Sequence, residues 1–215
     1  MDVPASMADP AEGSAPAGRA RSPELAELAQ TLIHTRQTLL PKRLFAPGPS
    51  AAQLRQMLAA AAHAPDHHEL LPWRFILVPE PARGALGQAF AAALRERDAQ
   101  ATPEQLAQAS EKAHRAPLVL LAVARLHDAD PDIEPHERLV SAGCALQNML
   151  LVAHAQGFGA SLTSGKALAS QALRGLFALG PHEQALCFVN VGTPDRAKPI
   201  RQRPRVEQYV SELTL

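Results

Sequence analysis

Apolar residues at Leu25, Leu28, Leu32 and Ile33 recur at helical spacing behind Ser22, Pro23 and Glu24, and predict a short helix ending near Thr35. Pro41, Pro47, Gly48 and Pro49 break the pattern, and Ser50 with Gln53 three residues on forms a capping box. Leu54, Met57, Leu58 and Ala61 then carry a second helix to about His63. The β-prone stretch Arg74–Val78 and the apolar run Leu118–Ala124 are expected in one sheet. Between them the spacing predicts an amphipathic helical pair, one helix over about 81–97 and the other opening at Thr102, Pro103 and Gln105.

From Leu139 to Ala155 the chain is apolar on nearly every face, interrupted mainly by Gln147 and Asn148. A helix of that kind must be covered on all sides, and in a chain this small a second subunit is a natural cover, so a homodimer is expected. Gly157 stops the helix, and an extended piece through Leu162 follows. A helix near Ser170–Leu179 precedes a strand over Ala185–Val191, and Gly192–Leu215 is basic and proline-spaced. Strands and helices at irregular spacing, without a glycine fingerprint, favour a layered α+β fold over a doubly wound one.

Composition narrows the class. The 215 residues are 47% hydrophobic, enough for one domain over 23–215, whereas residues 1–22 lack large apolar side chains and read as a disordered tail. Lysine plus arginine equals aspartate plus glutamate at 21 each, so there is no global field to hold nucleic acid or a membrane, and any anion must be bound locally. The only cysteines are Cys144 and Cys187, without zinc-knuckle pairing, and a cytoplasmic setting is the expectation.

Several motifs begin and fail. Gly157, Phe158 and Gly159 open like a dinucleotide fingerprint, but Leu162 stands where glycine is needed. Gly165 and Lys166 lack the flanking glycine and hydroxyl of a phosphate loop, and His68 and Glu69 lack the second histidine of a metalloprotease, the position being Pro72. His63, Asp66, His67 and His68 remain a cluster of proton-transfer and metal-ligand types, divided evenly between a solvated loop and a ligand site. Arg36, Lys42 and Arg43, with Arg196, Lys198, Arg201, Arg203 and Arg205, are the densest basic groups; they are either solvated surface or a grip on a phosphate monoester.

The loop Ala64, Pro65, Asp66, His67 through Pro72, Trp73, Arg74 and Phe75, one helix after Arg36, resembles the nitroreductase family of FMN-dependent oxidoreductases, in particular its small members. The resemblance continues through Arg115, Ala116 and Pro117, through Ser141, Ala142, Gly143 and Cys144, through the Ala155–Gly159 turn, and through Gly192, Thr193 and Pro194. It implies a central, mainly antiparallel sheet flanked by helices, and a homodimer with two FMN molecules, each held by both chains. Arg36, Gln37 and Thr38 match the element that grips the FMN phosphate, with Gln37 in place of an arginine; Lys42, or Lys198 and Arg201, would compensate. His63 and His67 match positions that approach the flavin, and Leu162, Thr163 and Ser164 match the turn against its isoalloxazine, with Leu162 and Thr163 replacing Trp and Arg.

The implied activity is ping-pong hydride transfer from NADH or NADPH, through flavin, to a nitroaromatic, quinone or activated alkene. His67 is the candidate proton donor, no side-chain nucleophile is required, and no metal is expected. Two rivals stay open: a flavin-binding protein without turnover, and a metal-dependent hydrolase built on the histidine cluster.

Overall fold

The computed structural model describes residues 23–127, 130–196 and 202–214, so the expected disordered tail and the basic residues Lys198 and Arg201 lie outside the described residues. Among the described residues six α-helices frame five strands: α1 (Pro23–Thr35), β1 (Leu44–Phe45), α2 (Ala51–Ala61), β2 (Trp73–Leu77), α3 (Arg83–Arg97), α4 (Pro103–Ser110), β3 (Leu118–Arg125), α5 (Pro135–Ala155), β4 (Gly159–Thr163), α6 (Gln171–Leu176) and β5 (Glu183–Pro194).

β5 is the centre of the sheet. It pairs antiparallel with β3 from Leu118↔Val191 to Arg125↔Glu183, and with β4 from Gly159↔Gly192 to Thr163↔Phe188, which places β3 and β4 on its two sides. β2 pairs with β3 in register Trp73↔Ala124, and β1 with the end of β5. Every strand pair is antiparallel, in the α+β layering expected from the chain.

The run Leu118–Ala124 is continuously apolar because both of its faces are covered. Leu118, Leu120 and Ala122 join Leu54, Met57, Ala145 and Met149 in a core against α2 and α5, whereas Val119, Leu121 and Val123 join Leu86, Ala89 and Leu173 against α3 and α6. Gly157 takes φ +84 at the end of α5, and Gly192 lets the chain cross closely: a Cβ there would stand 2.7 Å from Pro117 Cδ and 3.1 Å from Phe45 O.

α5 is not covered on all sides within one chain: Ser141, Ala142, Ala145, Met149 and Ala153 face the core, while Leu139 and Val140 face outward, Val140 at 66% exposure. The carboxyl-terminal Val206–Leu213 forms only a short 3-10 turn at Val206–Gln208, and Val206, Tyr209, Val210 and Leu213 are all exposed.

Candidate functional site

After α1 the chain turns and runs along β4 in parallel. Thr38 bridges Ala160, and Leu39 N donates to Ala160 O at 3.0 Å. This register sets Arg36, Gln37 and Thr38 at the beginning of β4, and Leu40 and Pro41 toward its end. Arg36 is half-buried, and burial first, then the neighbouring Arg203, hold its guanidinium below the ordinary value. His154, in the last turn of α5, is likewise lowered by burial and then by Arg36, and its Nε2 lies 2.8 Å from Thr35 Oγ1. Among the described residues no carboxylate is in ion-pair contact with Arg36, His154 or Arg203. Arg203 disfavours the charged form of Arg36, and Arg36 that of His154, and an anion placed among them relieves both.

At the other end of β4 opens a cleft of about 590 Å³. Its walls include Leu86, Phe90, Val119 and Phe188 from the α3 side of the sheet, with Thr163, Ser164 and Gly165 along one side. Arg97, Lys112, Arg115 and Lys166 also line it, and no Asp or Glu among the described residues does. Asn190, 4% exposed and opposite Ser161 in the β4–β5 register, donates from Nδ2 to Thr163 Oγ1 at 2.9 Å and so orients that hydroxyl.

Buried Arg83 fixes the segment that carries Lys112 and Arg115. Its guanidinium donates to the carbonyls of Val78 at 2.8 Å, Ala113 at 2.7 Å, Ala116 at 3.3 Å and Pro117 at 3.1 Å. Burial lowers its pKa, with Glu80 opposing that effect, and the four carbonyls satisfy a cation that would otherwise be costly to bury.

The histidine loop packs elsewhere. The Asp66 carboxylate accepts from Leu71 N at 2.7 Å, Ser141 Oγ donates to Pro65 O, and His68, Glu69 and Leu71 all take positive φ. His67 Nδ1 sits 3.1 Å from Glu137 Oε2, and His68 Nδ1 3.0 Å from Asp130 Oδ2. These histidines are the first cause holding both carboxyls below their ordinary range. His67 and His68 stay in edge contact, ring centroids 4.5 Å apart, yet each takes its own carboxylate, and among the described residues no three His, Cys, Asp or Glu side chains are grouped to hold a metal ion, which leaves the hydrolase reading without a site.

Of the expected site residues, the structure brings Thr163 and Ser164 to the cleft. Leu162 is not among its lining residues, because alternation along β4 turns adjacent side chains to opposite faces of the sheet. Lys42 sits on the exposed 3-10 turn Pro41–Arg43, and it is Arg203 and His154 that stand near Arg36. His67 contacts the first turn of α5 and His154 belongs to its last, roughly 25 Å apart at ~1.5 Å per residue, so His67 and Arg36 occupy opposite ends of that helix.

Arg97, Lys112, Lys166 and Asn190 line the cleft and His154 stands beside Arg36, positions to which periodicity and motif spacing assign no role. Lys166 does sit in the Gly–Lys pair that fails as a phosphate loop, and Arg115 in the Arg–Ala–Pro block. No local pattern marks the others, since three-dimensional convergence alone selects them.

The fold agrees with what known proteins show. A family model described as the nitroreductase family matches residues 45–193. A Haemophilus influenzae protein named "Putative NAD(P)H nitroreductase" is 37% identical over 165 residues, 77% of this chain and 88% of that one. The crystal structure of a nitroreductase-like family protein from Bacillus cereus superposes with a TM-score of 0.72 at 19% identity, over 86% of this chain and 95% of the other. An FMN-dependent nitroreductase from Clostridium difficile gives a TM-score of 0.60 at 16% identity, over 86% and 98% of the two chains. With a family model across most of the ordered sheet and a relative at that identity, the chain belongs to the nitroreductase family.

Proposed function

We propose that the protein is an FMN-dependent oxidoreductase that passes hydride from NADH or NADPH to an electron-poor acceptor such as a nitroaromatic, quinone or activated alkene. The observation that carries this reading is the arrangement along β4: a basic group without a carboxylate partner among the described residues at its beginning, and an apolar-walled cleft with cationic lining at its end. The residues fit FMN, whose phosphate matches the charge of the first and whose flat ring matches the walls of the second. The names of the relatives in Haemophilus influenzae and Clostridium difficile support the same chemistry.

Arg36, with Arg203 and His154 beside it, would hold the phosphate, and Arg203 supplies the positive charge that Gln37 does not. Asn190 fixes Thr163 at the ring's edge. Lys112 and Arg115, held through Arg83, offset the charge missing at Thr163. When bound, FMN supplies a two-electron carrier that serves reductant and acceptor in turn, a ping-pong exchange. His67, at the far end of α5, reaches such a site only from a second copy, so the reading includes a homodimer in which His67 is the candidate proton donor, its Nδ1 oriented by Glu137.

The test is an absorption spectrum with FMN added, followed by NADH or NADPH under nitrogen. Flavin uptake and bleaching are expected, and Arg36→Ala should weaken FMN binding by about 10- to 100-fold through loss of a charge-assisted contact. A protein that stays colourless in excess FMN sinks the reading, whereas uptake without bleaching leaves flavin binding without turnover.

A further inference from the structure

The cleft holds more positive charge than a flavin can use. Arg97, Lys112, Arg115 and Lys166 line it without a carboxylate among the lining residues, in a chain whose charges otherwise cancel at 21 of each sign. None of the four is in ion-pair contact with an acidic side chain among the described residues. The flavin phosphate belongs with Arg36, which does not line the cleft, and a flavin ring takes on at most one negative charge when reduced. At least two of the four cations are therefore left over. A position at the end of α3 accounts for a cation at 97 through the helix dipole, but not for its convergence with Lys166 and two further cations on one apolar-walled space.

We propose that the surplus cations, Arg97 and Lys166 in particular, recognise an anionic co-substrate: an aromatic body that shares the apolar-walled cleft with the flavin and carries a carboxylate or phosphate. The inference rests on the oxidoreductase reading and names the substrate class of the same site. Convergent cations around apolar walls favour such a ligand over its neutral isostere through charge-assisted contacts and a local field. The anion has two possible sources, the 2′-phosphate of the reductant or a carboxylate on the acceptor.

The experiment uses the full chain with FMN added, and flavin uptake is measured first. Two ratios of KM are then compared, NADH over NADPH, and 4-nitrobenzamide over 4-nitrobenzoate. At least one ratio should exceed unity by roughly five- to tenfold, the scale of one exposed charge-assisted contact, and should shrink with added salt. It should collapse toward unity in the Arg97→Gln Lys166→Gln double variant. Neither substitution removes a hydrogen bond seen in the fold, and flavin uptake by the variant reports that it remains assembled. Collapse of the first ratio identifies the reductant's phosphate, and collapse of the second the acceptor's carboxylate. Normal flavin uptake with both ratios near unity, or with both unchanged by the double substitution, overturns the inference while leaving the oxidoreductase reading intact. A wild-type chain that takes up no flavin overturns both.

Discussion

Glu183 receives Arg74 Nε at 2.6 Å and Nη2 at 2.8 Å, with Arg125 Nε 3.9 Å away and Gly180 N donating at 3.0 Å. The Arg74 hydrogen bond is the main reason its carboxyl is lowered to about 2 from 4.5, burial working against it. A depressed carboxyl stabilises the fold above its unfolded value, and that contribution is lost as pH falls from about 4.5 through about 2. At neutral pH it amounts to roughly 2–3 kcal/mol. Melting temperatures recorded from pH 7 to pH 2 should show Glu183→Gln destabilised at the upper end and converging on wild type at the lower. Parallel curves would remove Glu183 from this role. Nothing in the sequence marks the pair, because Arg74 and Glu183 meet only when β2 and β5 are set on either side of β3.

Helix starts are where local sequence speaks most directly. Ser50 with Gln53 and Thr102 with Gln105 both form the reciprocal capping boxes that their spacing predicts, with Gln53 N to Ser50 Oγ at 3.3 Å and Gln105 N to Thr102 Oγ1 at 3.3 Å. Such a cap needs only residues three apart. Thr102→Ala should cost about 1 kcal/mol in chemical denaturation, since an orphan N–H of the first turn loses its acceptor; a loss below about 0.3 kcal/mol would mean that α4 is held by packing alone. Strand ends are less legible. β5 extends to Glu183–Pro194, beyond the apolar stretch Ala185–Val191, because its ends are paired by β3 and β1, and the two-residue β1 exists only through its partner at Thr193 and Pro194.

At the scale of the whole molecule, α5 organises the site. One of its faces is core, and its other face presents Leu139, at 37% exposure, and Val140, at 66%. Within the dimer proposed above, that face supplies apolar contact between copies, and the ends of α5 carry His67 of one chain and Arg36 of the other toward a shared flavin. Val140→Glu should therefore shift the sedimentation equilibrium toward monomer by roughly 2–5 kcal/mol, the cost of an unpaired charge in an apolar contact, with flavin retention falling in parallel. Because Val140 is exposed in the single chain, the folded subunit itself should keep its secondary structure by circular dichroism. An unchanged dimer would place the interface elsewhere.

By itself the sequence determined the helices, through periodicity and caps, the buried strand Leu118–Ala124, through its unbroken apolar run, and the family, through short blocks such as Ala64–His67 and Arg115–Pro117. These are interactions between near neighbours, so spacing encodes them. Only the tertiary structure decided that Arg203 and His154 stand beside Arg36, that Asn190 aims Thr163, that Arg83 holds the segment bearing Arg115, and that four cations share one cleft. It also gave His67 and His68, whose rings stay 4.5 Å apart, a carboxylate each. Charge and hydrogen bonding act over a few ångströms of space regardless of distance along the chain, and which groups come that close is fixed by how the sheet and its two helical layers pack.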